Sequence, residues 1–319
     1  VYNIYTDYNK TFKEKHNLHV MLGFNQEHTK ETFSWIRRSD IISTNLPTIN
    51  LATGTTQVEE SIQELSLRGT FGRVNYAYDN KYLFEFNGRY DGSSRFPKDS
   101  RFGFFPSGSV GWVISREKFI QPVINFAKID QLKLRASYGV LGNQVLSNYY
   151  PYVATMSSDY LTFPINGNRP LYVNQPEVVS NNMTWETVRT LNFGGDITLL
   201  DNRFNLSFDK YIRYTEDMLV QSKELPAVFG ADSPKENAGD LKTKGWELTL
   251  SYRDNFEVGG SPLTVGLTFN LSDARTWVTR FDNETKNIDN GTRPGTANFY
   301  KGQEIGEIWG LVTDGFLTK

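Results

Sequence analysis

The 319 residues carry a formal net charge of -2, 38% hydrophobic and 22% charged residues, and no cysteine. This balance speaks against intrinsic disorder, gives no electrostatic case for nucleic-acid binding, and excludes disulfides and thiolate metal sites. Mean hydropathy is -0.48 and no stretch approaches the roughly 18 apolar residues of a spanning helix, so a helical membrane protein is excluded while a strand-built one is not.

Period-two alternation runs through the chain from its start. Tyr2, Ile4 and Tyr8 alternate with Asn3 and Asp7, then Leu18, Val20, Leu22 and Phe24 with His19, Gly23, Asn25 and Glu27. Next, Leu65 and Leu67 fall on odd positions but Val74, Tyr76 and Tyr78 on even ones. A β-bulge between Gly69 and Gly72 would restore the facing. The clearest strand sets Tyr82, Phe84, Phe86, Gly88 and Tyr90 against Lys81, Glu85, Asn87, Arg89 and Asp91.

Leu132, Leu134, Ala136, Tyr138 and Val140 then oppose Lys133, Arg135 and Ser137, and Leu191, Phe193, Ile197 and Leu199 oppose Thr190, Asn192, Asp196 and Thr198. Phe204, Leu206 and Phe208 face away from Asn205, Ser207 and Asp209. Trp246, Leu248, Leu250 and Tyr252 face away from Glu247, Thr249, Ser251 and Arg253. Leu263, Val265, Leu267, Phe269 and Leu271 against Thr264, Thr268 and Asn270 close the series. The total is about ten strands of barrel-strand length, each with a greasy and a polar face.

The connections alternate in length. Short turns are expected at Lys13-Glu14-Lys15, Asp79-Asn80, Asp201-Asn202 and Asn255 to Gly260, with a short helix around Phe119 to Phe126 in the Ser115 to Asp130 link. Long loops are expected at His28 to Ser61, Gly92 to Phe102, Gly142 to Thr184, Thr215 to Ala238 and beyond Asp273. Such short–long alternation separates a periplasmic from an extracellular rim. Tyr78 and Tyr82 beside a turn, with Trp112, Trp185 and Trp246, fit the aromatic girdles of a membrane barrel. The fold class expected is therefore all-β, an antiparallel transmembrane β-barrel. Val1 begins inside a strand pattern and Trp309 to Leu317 has no evident ending, so a piece of a longer chain is expected.

No metalloprotease, nucleophile-elbow or phosphate-loop pattern occurs, and catalytic residues are expected to be none. His16 and His19 read as turn and lumen residues rather than metal ligands. Asp282, Glu284, Asp289 and Gly291 do not fit the spacing of a calcium loop and read as a solvated segment. No cofactor is expected.

Several strings occur in a fixed order. Phe71-Gly72-Arg73-Val74-Asn75-Tyr76 leads through Asp79-Asn80-Lys81-Tyr82-Leu83 to Arg89-Tyr90-Asp91-Gly92-Ser93-Ser94-Arg95-Phe96. Phe105-Pro106-Ser107, Gly111-Trp112, Glu117-Lys118-Phe119, Leu132 to Gly139 and Gly142-Asn143-Gln144 follow. Then come Thr184-Trp185-Glu186, Asp217-Met218-Leu219, Asn237-Ala238-Gly239, Lys244-Gly245-Trp246-Glu247 and Gly306-Glu307-Ile308-Trp309-Gly310. In these strings the chain resembles the barrel region of SusC/RagA-type TonB-dependent outer-membrane transporters, from about Val1 to Leu317.

The resemblance implies that residues 1–319 are part of a C-terminal barrel of about 22 strands around a plug. The plug domain, the TonB-contacting segment and the closing strands would then lie outside the sequence. It also implies import of glycans, oligosaccharides or peptides with a SusD-like surface lipoprotein, driven through the TonB complex, in a barrel embedded in outer-membrane lipid. Arg89, Asp91, Arg95 and Arg101 are candidate lumen residues. They would either hydrogen-bond a polar solute or pair with one another to hold the wall against the plug. Tyr149, Tyr150, Tyr152, Tyr160, Phe163 and Tyr172 make the Gly142 to Thr184 loop aromatic, suited to sugar rings or peptide side chains, to its own packing, or to a partner lipoprotein. The rival readings are a passive porin-like channel and a soluble adhesin or carbohydrate-binding β-protein. The latter would have to leave its greasy faces exposed.

Overall fold

A chain that alternates greasy and polar residues can satisfy both its backbone and its side chains only by pairing strands into a two-faced sheet. The computed structural model describes residues 1–144, 148–221, 225–231, 233–282, 299–308 and 315, and its strands do this. They are β1 (Tyr2–Phe12), β2 (His16–Arg38), β3 (Thr56–Tyr78), β4 (Tyr82–Ser93), β5 (Phe102–Val113) and β6 (Ile129–Asn143). After them come β7 (Ser158–Tyr160), β8 (Leu171–Val173), β9 (Glu186–Leu199), β10 (Phe204–Gln221), β11 (Lys235–Val258) and β12 (Ser261–Phe281). Ten strands form one sheet in the order β1-β2-β3-β4-β5-β6-β9-β10-β11-β12, while β7 and β8 form a small hairpin of their own. Every neighbouring pair in the large sheet is antiparallel.

Residues paired across antiparallel strands share a face, so single rows can be followed across the sheet. One row reads Phe12, His16, Tyr78, Tyr82, Trp112, Leu134, Gly195, Phe208, Leu248 and Leu271. A row on the other face reads His19, Asn75, Glu85, Ser109, Ser137 and Asn192. The first face bears Phe84 at 50%, Phe193 at 56% and Leu267 at 65% exposure, a continuous apolar surface that water would not tolerate and lipid would.

The turns at the short rim follow from residue type. Asp79 and Asn80, and Asp201 and Asn202, adopt positive φ angles of 52°, 50°, 58° and 63°. Asn and Asp tolerate this left-handed region better than other side chains. β11 runs further than the sequence reading placed it, and the turn expected from Asn255 shrinks to Gly259-Gly260, with φ of 60° and 77°. Between β5 and β6 lies the expected short helix, α1 (Gln121–Ala127).

The long-loop side differs more from expectation. β2 and β3 are each 23 residues, about 75 Å of extended chain. The expected loop from His28 to Ser61 is thus mostly a hairpin standing beyond the apolar band, and the expected loops from Thr215 and beyond Asp273 likewise begin as strand, to Gln221 and Phe281. The expected bulge at Gly69–Gly72 is absent: β3 keeps register with β2 and β4 through those glycines. Leu65 and Leu67 stay on the polar face and are half-buried, in a part of the strand where loop residues Tyr150 and Ser94 accept from the Glu64 and Ser66 backbone at 3.0 Å. Register breaks fall instead at Thr215/Met218 in β10, at Asp240/Leu241 in β11 and at Ile129/Gln131 in β6.

Two further expectations are corrected. Trp185 is not a girdle residue. It is buried with Phe96, Phe105 and Met183, and its indole N–H donates to the Arg101 carbonyl at 3.0 Å. Val140 packs on the same cluster instead of facing outward, above the Ser107–Gly139 pair where the β5–β6 ladder ends, while Leu141 is exposed. At the other end of the strands Tyr78, Tyr82 and Trp112 do form an outward aromatic group, with successive ring centroids 6.3 and 6.5 Å apart.

That group is tied to the β5–β6 link by Glu117. Its carboxylate accepts from the Tyr82 hydroxyl at 2.7 Å and the Trp112 indole at 3.3 Å, and Lys81 lies 3.8 Å away. The Tyr82 hydrogen bond first, then the Trp112 bond and the Lys81 charge, hold the Glu117 carboxyl below its ordinary 4.5. A carboxyl with a lowered folded-state value stabilises the fold fully above pH 4.5 and loses that contribution as the pH falls through the lowered value. Glu117→Gln in the full-length protein is therefore expected to lower the stability of the folded barrel at neutral pH. The gap to wild type should close in acid, as read from heat-modifiable gel migration across a pH series.

Candidate functional site: the polar face and its loop roof

The polar face of the sheet carries one ion network that spans three strands. Arg135 on β6 donates to Asp196 on β9 at 3.0 and 3.1 Å and to Asp209 on β10 at 2.7 Å from two nitrogens. Ser207 and Asn192 complete the network, Ser207 donating to Asp196 at 2.9 Å and Asn192 to Asp209 at 2.8 Å. Lys133, opposite Asp196 in register, adds a second cation to the two carboxylates. Gly194 faces this cluster, and a Cβ there would fall 2.6 Å from Asp209 and 2.8 Å from the Arg135 guanidinium carbon, so glycine makes room for the ion network. Alternation alone put Arg135, Asp196 and Asp209 on the polar face. That they meet depends on the register of three strands, which no single strand pattern carries.

Beside this network a hollow of about 480 Å³ is lined by Asn17, His19, Asn75, Glu85, Lys133 and Arg135 among others. It offers hydrogen-bond donors and acceptors of both charges. Such a wall can hold a polar solute or another polar protein surface. His16, read as a turn residue, hydrogen-bonds Tyr76 at 2.8 Å at the short rim.

A second network closes the top of β10–β12. Arg280 pairs with Asp217 at 2.9 Å, Asp240 at 2.7 Å and Asp282 at 2.8 Å. Asp217 sits at the β10 bulge with φ of 58°, and its backbone N–H donates to Asp240 at 2.9 Å. Asn237 exchanges hydrogen bonds with the backbone of Thr184, at 2.9 and 3.0 Å, tying the end of the long loop to β11. The Asp217 and Asn237 strings noted in the sequence therefore serve one junction. Of the weighed calcium-loop residues, Asp282 is this ion-pair member, and Glu284, Asp289 and Gly291 lie outside the described residues.

The candidate site residues divide into four groups. Arg89 and Asp91 pair with each other on the polar face at 2.9 Å, with Arg89 over the Phe71 ring. Arg95 and Arg101 are drawn into the loop framework: Arg95 donates to the Gln144 carbonyl at 2.8 Å and stacks over Tyr149, and Arg101 lies 3.4 Å from the carbonyl of fully buried Phe96. Three of the loop tyrosines are anchors. Tyr149 donates to Glu31 at 3.1 Å, Tyr150 accepts from the Glu64 backbone at 3.0 Å, and Tyr152 donates to the Ser94 carbonyl at 3.3 Å. Tyr160 and Tyr172 sit on the β7–β8 hairpin, where the register pairs Tyr160 with Leu171 and Tyr172 with Asp159. They lie on opposite faces of that hairpin, so the loop aromatics do not form one platform. Phe163, just beyond β7, is exposed.

A two-faced antiparallel sheet with an apolar exterior, a charged interior face, tight turns on one rim and a tied loop roof on the other defines part of the wall of a membrane β-barrel. The family described as TonB dependent receptor-like, beta-barrel matches residues 1–315, and the chain belongs to it. TonB-dependent receptor P3 of Formosa agariphila is 33% identical over 318 residues, 96% of this chain and 30% of its own length. TonB-dependent receptor SusC of Bacteroides thetaiotaomicron is 34% identical over 211 residues, 65% of this chain and 20% of its own. The solved RagAB peptide transporter superposes with a TM-score of 0.77 at 24% identity, over 94% of this chain and 32% of that one, a likeness of fold. The SusC/RagA-type resemblance read from the strings thus holds, and the chain spans about a third or less of the length of these proteins.

Removing Arg135 leaves two neighbouring carboxylates facing each other. Because all three side chains keep some contact with water, Arg135→Leu is expected to cost about 1–2 kcal/mol rather than the larger penalty of a fully buried pair. Gly194→Val should act on the same network, so denaturant titration of the double variant in the full-length receptor should show less than the sum of the two single effects.

Proposed function

We propose that this chain is part of the barrel wall of a TonB-driven outer-membrane importer. The remaining strands, the plug and the TonB-contacting segment would belong to a longer chain. The observation that carries the reading is the pairing of an apolar outer face with an inner face whose charges are held in place, under a long loop roof tied down at both ends. A lumen wall of fixed hydrogen-bonding groups suits a plugged pathway for polar oligomers, either oligosaccharides or peptides. The SusC/RagA-type resemblance allows both classes, and the solved RagAB peptide transporter is named for the second.

In this reading Arg89 and Asp91, paired but still accessible on the polar face, contact solute or plug, and Arg95 and Arg101 position the loop that frames the entrance. Tyr160 and Tyr172, whose side chains have no anchor like those of Tyr149, Tyr150 and Tyr152 among the described residues, meet substrate or a SusD-like surface lipoprotein acting as a lid. Lipid of the outer membrane surrounds the apolar face.

A passive porin-like channel is the competing reading, and energy coupling separates the two. In cells carrying the full-length gene, uptake of labelled oligosaccharide or peptide is expected to stop when the proton-motive force is collapsed, and uptake that continues unchanged would favour the passive channel. Tyr160→Ala with Tyr172→Ala is expected to weaken apparent affinity severalfold while the barrel stays folded.

A further inference from the structure

The outward face of the sheet is apolar along most of each strand and then changes character on the long-loop side. On β12 the outward residues run Leu263, Val265, Leu267, Phe269 and Leu271, followed by Asp273, Arg275 and Trp277. On β11 they run Leu250, Leu248 and Trp246, followed by Lys244 and Lys242, and on β10 Lys210 interrupts the outward series Leu206, Phe208, Ile212 and Tyr214. Register places these boundaries side by side. Lys210 pairs with Trp246, Lys244 with Arg275, and Lys242 with Trp277.

Lys210, Lys244, Trp246, Asp273, Arg275 and Trp277 line one shallow hollow of about 320 Å³. Lys244 stands 5.9 Å over the Trp277 ring and Lys242 5.1 Å over the Tyr214 ring, which orders two otherwise loose ammonium groups. Four cations share this surface with two carboxylates, Asp273 and Glu304, of which Glu304 is 3.9 Å from Arg275. Arg189 nearby is already neutralised by Glu216 at 2.8 Å. Among the described residues, no carboxylate lies within ion-pair reach of Lys210, Lys242 or Lys244.

Cations cost most where they face hydrocarbon and least at the headgroup level. A cluster set just past the end of an apolar band, framed by two tryptophans, has the charge and the height to meet phosphates of outer-leaflet lipid. We propose that Lys210, Lys242, Lys244 and Arg275, with Trp246 and Trp277, form a docking site on the outer wall for the phosphate-bearing headgroup of an outer-leaflet glycolipid. The proposal rests on the outer-membrane reading above, which fixes the long-loop rim as the outer one.

The test uses the full-length receptor, purified in detergent and stripped of lipid, with native mass spectrometry to read lipid retention. Phosphorylated lipid A is expected to bind at least about tenfold more tightly than the same lipid after enzymatic dephosphorylation, a difference of about 1.4 kcal/mol. The triple variant Lys210→Gln, Lys244→Gln, Arg275→Gln should lose that difference, whereas Lys10→Gln on β1 should keep it. Equal binding of the two lipids by wild type overturns the proposal even if the triple variant fails to fold. So does a folded triple variant that still discriminates, or displacement of the lipid by millimolar inorganic phosphate, which would assign the cluster to a free anion. Fractionation of wild type away from the outer membrane would overturn the membrane reading itself, and is scored separately from binding.

Discussion

In a hydrocarbon layer a backbone amide has no water to turn to, so each N–H and C=O across the membrane must be met by a neighbouring strand. Everything else in this protein is arranged around that demand. Antiparallel ladders run from β1 to β12 through connections that keep sequence neighbours adjacent in space, and the strict alternation of side chains follows from the pleat once the ladder is in place. The same demand explains where irregularity is allowed. Loops, bulges and the short helix α1 lie towards the rims, where water and side chains such as Gln121 and Asn237 can serve the backbone groups that the ladder leaves unmet.

Within the ladder the two faces do different work. The outward face needs only to be greasy and of the right height, and it gains order from stacked aromatics at the short rim. The inward face must hold charge without water on every side. It does so by sharing: Arg135 serves two aspartates on two strands, and Arg280 serves three at the top of β10–β12. Each network crosses strand boundaries, so it fixes register as well as neutralising charge. A slip of one residue would turn Arg135 outward and leave Asp196 and Asp209 facing each other.

Much of this was legible from the chain. Alternation located nearly all of the strands, gave their facing, and separated tight turns from long connections, because a period of two survives any local detail. It failed where a strand leaves the membrane. Leu65 and Leu67 looked like a phase error needing a bulge, but beyond the apolar band the inward face packs against loops and greasy residues belong there. Val140 and Trp185 misled for the same reason, since a buried loop cluster and a lipid-facing girdle ask for the same residue types. The candidate site was legible only as composition. Tyr149, Tyr150 and Tyr152 were visible as aromatics in a loop, yet their partners Glu31, Glu64 and Ser94 lie far away in sequence, and no local pattern encodes those meetings.

Those three tyrosines also bear on the order in which the wall can be built. Hairpins such as β1–β2 and β3–β4 join neighbours across a few residues and can zip as the chain arrives. Tyr149 reaches back 118 residues to Glu31, and Tyr150 reaches back 86 to Glu64. Closing so large a circuit carries an entropic cost that is tolerable only when the intervening strands are already in register. The roof is therefore expected to settle after those strands, since a sheet paired one residue out between β2 and β6 would offer the loop no correct place to land.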